Sequence, residues 1–351
     1  MRWADLLLLL PAAPYRLAAF PFAALFHHLC SSGHLSLTAR YIFLLAGGCL
    51  LAATAMGSYA VLLLIPAAGS VLVLLSVSPA HVHTWVFALQ MSWQTLCHLG
   101  LSSQELDPQD ARPAIALSAI MLLTQKATSL ALDIHEGVVM LQLGQGLLQC
   151  TLPLCSYLLF FPALLGGPLC SFSRLAYYMH WVLDEALLEV AGFGPEEGQG
   201  DLSLHDLWTL ETTHRVAVFA RTWNKSTSRW LRRLVFQRCP AQPLLATFAF
   251  SSWWHGLRPG QVFGFLCWAV MVEADYRIHP FLSARATSQG VKLLYRGTTW
   301  VFTQLIVAYI LVAVETESFS MLCLLWTSCN SILPLSYGLA LLLLAKKPKQ
   351  N

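Results

Sequence analysis

Between Arg40 and His81 the chain carries no charged side chain, and the apolar run over 41–78 is the feature that most restricts its fold. About 20 apolar residues cross a hydrocarbon core, so this run is long enough for two crossings, with a break at Gly57-Ser58 or at Pro66. Further spans are expected over 84–101, 114–134, 144–170, 244–272, 298–314 and 320–345. The first thirty residues are apolar but interrupted by Pro11, Pro14 and Arg16, and no small-residue cleavage site follows. They read as a retained span rather than a signal peptide. The expectation is an all-α polytopic membrane bundle of about eight or more spans, forming a single domain over 1–351.

Composition agrees. The 351 residues are 56% hydrophobic and 11% charged, too little charge to cover a water-facing surface. A net charge of +3 gives no reason to expect nucleic acid. The ten cysteines contain no CxxC pair and lie mostly in apolar runs, where a thiol is a small hydrophobe.

Two local features stand out. Arg221, Lys225, Arg229, Arg232, Arg233 and Arg238 fall close together with no acid among them. On a helical wheel the first five share one arc, with Trp223, Trp230, Leu231 and Leu234 opposite. This predicts a cytosol-facing amphipathic helix, with Asn224 on its apolar side. That basic face suits anionic lipid. The tail, with Lys347 and Lys349 fifth and third from the end, fits an endoplasmic reticulum retrieval signal or a basic membrane anchor. Both place the C-terminus in the cytosol.

Most of the twelve histidines are expected to be bland, and His27, His28, His34, His81 and His83 lie near expected span ends, where a half-wet imidazole needs no function. His255 differs. It follows FAFSSWW (248–254) and precedes GLRPG (256–260), inside an otherwise spanning segment. An ionisable group at that depth is costly and marks a candidate site, and the glycines and proline predict a helix that stops or kinks beside it. No HxxxH or HxxHH box, Asp-His-His-Cys motif or G-x-S-x-G elbow is present, and no metal set is expected.

Asn224 within RTWNKSTSRW (221–230), followed 31 positions later by His255 in WWHG (253–256), resembles the membrane-bound O-acyltransferases. Stretches 56–60 (MGSYA), 90–100 (QMSWQTLCHLG), 260–265 (GQVFGF) and 271–276 (MVEADY) resemble one branch of that family, so the resemblance covers nearly the whole chain. It implies a catalytic region over about 205–275, with His255 and Asn224 as catalytic residues and an acyl tunnel through the bundle. It further implies transfer of a medium-chain acyl group, octanoyl, from acyl-CoA to a serine of the ghrelin precursor peptide. The acyl-CoA is a co-substrate, and no cofactor is expected. A serine hydroxyl needs a base, which neutral imidazole supplies, and Asn224 either stabilises the oxyanion or orients the acceptor. Arg221, Lys225, Arg229 and Arg232 are candidates to receive the acyl-CoA phosphates. Phe248, Trp254 and Trp268 are candidates to line the tunnel, against ordinary aromatic core packing.

One departure from the family pattern is visible. Residues 161–174 run almost directly into 177–181, where family members carry further residues including membrane segments. Alternatives therefore stay open: an O-acyltransferase acting on a lysophospholipid, or a shortened form that only binds acyl-CoA or peptide. A transporter would show inverted repeats, which the sequence lacks.

Overall fold

A computed structural model describes residues 13–32, 35–102, 110–139, 147–160, 164, 186–192, 204–285, 287–316 and 318–328. The described residues are helical and fall into two compact units, Met1–Gly200 and Asp201–Asn351.

In the first unit α1 is Ala13–Ser31, α2 Leu37–Met56, α3 Val61–Ser76, α4 Val82–Ser102, α5 Arg112–His135 and α6 Leu147–Leu158. The long apolar run divides where expected, at a single 3-10 turn over Gly57–Ala60 whose first residue has φ 58°. Pro66, the other expected break, stays inside α3. A proline there has no N–H to give to the carbonyl of Leu62. The indole Nε1 of Trp93, on α4, donates to that carbonyl instead at 2.8 Å.

The same helix face carries a buried polar network. Gln90 Nε2 donates to Ser70 Oγ at 2.6 Å and to the Pro66 carbonyl at 3.2 Å, and Thr124 Oγ1 donates to Gln94 Oε1 at 2.8 Å. These bonds fix the register of α3, α4 and α5, whose backbones approach across small residues such as Ala67, Ala116, Ala119 and Ala127.

In the second unit α7 is Leu204–Thr212, α8 Val216–Thr222, α9 Lys225–Leu231, α10 Pro243–His255, α11 Pro259–Ser283, α12 Gln289–Glu315 and α13 Phe319–Ser328. The exposed carbonyl of Glu211, near the end of α7, is met from α12 by Trp300 Nε1 at 2.8 Å and Gln304 Nε2 at 3.3 Å. The α11–α12 seam is a Gly-x-x-x-Gly contact. A Cβ on Gly260 would land on the carbonyl oxygens of Ala313 and Thr316, and one on Gly264 would lie 2.5 Å from Val314 Cγ2.

Among the described residues three stretches are long and apolar enough to cross a membrane: Leu37–Ser76, Arg112–His135 and Gln289–Glu315. That is fewer than the eight expected spans. The reasons are local. The helix expected over 84–101, observed as Val82–Ser102, has the length but carries His83, Gln90, Gln94 and His98. The span expected over 244–272 is cut at His255 into α10 and α11. The spans expected over 144–170 and 320–345 extend beyond the described residues, as do the tail lysines and the 161–181 junction. The eight described cysteines are all free thiols.

Candidate active site

The expected stop beside the imidazole is present. α10 ends at His255, and Gly256 takes the left-handed conformation at φ 111°. Its N–H donates to the Trp253 carbonyl at 3.1 Å, while the Leu257 N–H reaches the Ser252 carbonyl at 3.1 Å. This pair of reversed bonds closes the last turn and satisfies carbonyls that would otherwise be orphaned. Leu257 follows at φ 59°, a positive φ on a non-glycine residue, directly after the glycine. Pro259 then starts α11, so the chain reverses within four residues and lays α11 back along α10.

Packing between the two helices places His255 half-buried, with its ring 4.9 Å from that of Phe265 on α11. Phe248, seven residues before His255 and on the same helical face, stacks on Trp268 with centroids 6.3 Å apart. Two of the three tunnel candidates therefore meet on the face that carries the histidine. Trp254 does not join them: fully buried, it packs at 4.9 Å on Trp230 of α9. On the facing surfaces Ser252 Oγ, Gln261 Oε1 and Trp268 Nε1 are buried and make no hydrogen bond within the described residues.

Asn224 sits at a junction. The single amphipathic helix expected through Arg238 is instead α8, α9 and a π-turn over Arg232–Phe236. Asn224 lies between the first two as the N-cap of α9, its Oδ1 accepting the Thr227 N–H at 3.0 Å. The division into faces survives only in part: Trp230 is buried and Arg221, Arg229 and Arg232 are exposed, but Lys225 and Arg233 are half-buried alongside Trp223, Leu231 and Leu234. Arg221 turns toward α11, its guanidinium 5.9 Å over the Tyr276 ring.

α8, which ends two residues before Asn224, and α10, which ends on His255, both pack on α11. Phe219 of α8 is fully buried, 5.3 Å from Trp223 and 6.3 Å from Trp268. Trp268 lies one turn from Phe265, the partner of His255. Phe219, five residues before Asn224, and His255 at the end of α10 thus pack on neighbouring aromatic residues of α11, Trp268 and Phe265.

Sequence reasoning missed a polar cluster at the other end of the α8–α11 contact. Arg215 Nε donates to both carboxylate oxygens of Asp275, at 3.1 and 3.0 Å, and its Nη2 lies 3.0 Å from Oδ2. The Ala217 N–H donates to the same Oδ2 at 3.3 Å. His279, one turn beyond Asp275, pairs through Nδ1 with the Tyr295 hydroxyl at 2.5 Å, and its ring lies 6.0 Å from that of His214. Burial, then the charges of His279, Arg296 and Arg215, hold His214 below the ordinary histidine value of 6.5, against the opposing pull of Asp275. Burial and Arg215 depress His279 in the same way. The available signal was an acid at 275 in a largely apolar helix, opposite a helix start that lacks a capping side chain.

Residues 178–312 match the family described as MBOAT, membrane-bound O-acyltransferase. The chain is 46% identical to membrane-bound ghrelin O-acyltransferase MBOAT4 of Rattus norvegicus over 99% of both chains. The Mus musculus protein of the same name is 46% identical over the full length of both. The rat alignment runs over 431 positions against the 351 residues here, so that relative carries segments absent from this chain. Membrane-bound glycerophospholipid O-acyltransferase 1 of Homo sapiens is 36% identical over 39% of this chain and 29% of its own.

Proposed function

Because the chain belongs to the membrane-bound O-acyltransferase family, and is therefore a multi-pass membrane O-acyltransferase, we propose that it transfers octanoyl from octanoyl-CoA to a serine of the ghrelin precursor peptide. The observation that carries this reading is full-length identity of 46% to two proteins named ghrelin O-acyltransferase. His255, packed on Phe265 of α11, and Asn224, beyond the α8 helix that packs on Trp268, carry the chemistry in this reading.

In this reading the thioester lies with its apolar tail along Phe248 and Trp268 and its carbonyl carbon near His255. The neutral imidazole takes the serine proton as the hydroxyl oxygen attacks the carbonyl carbon. Negative charge gathers on the former carbonyl oxygen. Asn224 already commits its Oδ1 to the cap of α9, so its Nδ2 amide is the donor end, suited to that oxyanion. Collapse of the tetrahedral species breaks the C–S bond, and the imidazolium returns the proton to the CoA thiolate. The thioester is already activated, so the step needs no covalent enzyme intermediate and no resident cofactor. In this reading the exposed Arg221, Arg229 and Arg232, with Lys225, receive the CoA phosphates, in the endoplasmic reticulum membrane with a cytosolic C-terminus.

A panel of acceptors tests the assignment. Membranes carrying the chain, supplied with octanoyl-CoA, are expected to acylate a ghrelin N-terminal peptide and to leave lysophospholipids unmodified. Acylation of a lysophospholipid with none of the peptide would move the chain to the alternative acceptor class.

A further inference from the structure

We propose that Asp275, together with Arg215, is a positioning residue of the acyl-transfer centre: its carboxylate fixes where α8 begins and thereby where Asn224 stands against α11. This rests on the reading of Asn224 and His255 given above.

The argument starts from a helix without a cap of its own. Arg215, extended at φ −127° and ψ 118°, makes no side-chain capping bond to α8. The first N–H groups of a helix need an acceptor, and α8 takes one from another helix. Asp275 Oδ2 accepts the Ala217 N–H, and the Arg215 guanidinium holds the same carboxylate through Nε and Nη2. Side chains of the pair are only 20% and 12% exposed, so water competes weakly for these bonds.

From that anchor the backbone runs as a short rod to Asn224. The Phe219 N–H donates to the Arg215 carbonyl at 3.0 Å, and the Trp223 N–H to the Phe219 carbonyl at 2.8 Å. Asn224 is the next residue. The rod touches α11 a second time, through Phe219 on Trp268. Trp268 and Asp275 are seven residues apart, on one face of α11 and about 10 Å along its axis. Two contacts along one face fix both the slide and the tilt of α8. Since His255 is set against Phe265 on the same helix, α11 serves as the common ruler for both reacting groups. A displacement of about 1 Å at a reacting centre costs roughly a hundredfold in rate, so an anchor two turns away acts on turnover rather than on binding.

The test compares the wild type with Asp275→Ala, Asp275→Asn and the exchange Arg215→Asp/Asp275→Arg, each as full chain in detergent. Hydrogen–deuterium exchange over 216–224 reads the anchor whether or not the enzyme turns over. It is expected to speed about tenfold or more in Asp275→Ala while 306–313 in α12 stays unchanged. Initial rates are expected to show kcat down about 10- to 100-fold with KM for octanoyl-CoA within about threefold. Asp275→Asn, which keeps an acceptor for Ala217, and the charge exchange are expected to recover part of both. Unchanged exchange over 216–224 overturns the proposal, as does a raised KM with kcat intact. Equal acceleration of every peptide, in Asp275→Asn as well, would reduce the pair to general fold stability and overturns it too. If the wild type itself transfers no octanoyl, the proposed function fails, and the exchange data alone decide the anchor.

Discussion

At the scale of single residues, the site depends on how one helix ends. His255 is presented because α10 stops on it, and it stops because Gly256 adopts φ 111°. A side chain at Gly256 is strained whatever space surrounds it. Gly256→Ala is expected to lower stability by about 1 kcal/mol, read as a fall in the thermal midpoint. Leu257, at φ 59°, is the converse, and Leu257→Gly is expected to leave the midpoint unchanged or to raise it. An unchanged midpoint in Gly256→Ala would contradict the cap. This stop was legible in the sequence, since glycine and proline after a polar intrusion carry their conformational meaning locally. Asn224 was legible as unusual but not as a cap. The wheel assumed one continuous helix, and nothing in the arginine spacing shows that the helix breaks at Trp223.

At the scale of elements, the sequence located spans well where apolar length alone decides. The break at Gly57 and the helices over 112–135 and 289–315 are of that kind. It could not show pairings set by long-range contact, such as Trp93 replacing the amide that Pro66 lacks, or Arg215 meeting Asp275 across 60 positions. The latter contact has a pH consequence. His214 lies in the α7–α8 connection and His279 near the end of α11, surrounded by Arg215, Asp275, Tyr295 and Arg296. Both histidines are held below 6.5 in the folded chain, so below that pH the unfolded chain binds protons the folded one does not. Their contribution is at its full value above 6.5 and is lost as pH falls toward the depressed values. Thermal midpoints measured from about pH 7.5 down to about pH 5 are expected to decline below 6.5, and less steeply in His279→Gln. A midpoint that rises on acidification would contradict the assignment.

At the scale of the whole molecule, the chain forms two compact units. The first is a bundle locked by buried amides and small residues, and the second carries the candidate residues Asn224 and His255. Family membership was legible from the Asn224 and His255 segments together with four flanking stretches. Comparison extends it to nearly the full length of two longer relatives.

The most direct measurement is octanoyl transfer from octanoyl-CoA to a ghrelin N-terminal peptide, in membranes carrying this chain and in membranes carrying His255→Ala at equal abundance. The account predicts acylated peptide from the first, and a loss of about 100- to 10,000-fold in the second, the span expected for a general base. Equal transfer from both would contradict the role of His255. No transfer from either, with both chains folded, would contradict the proposed activity itself.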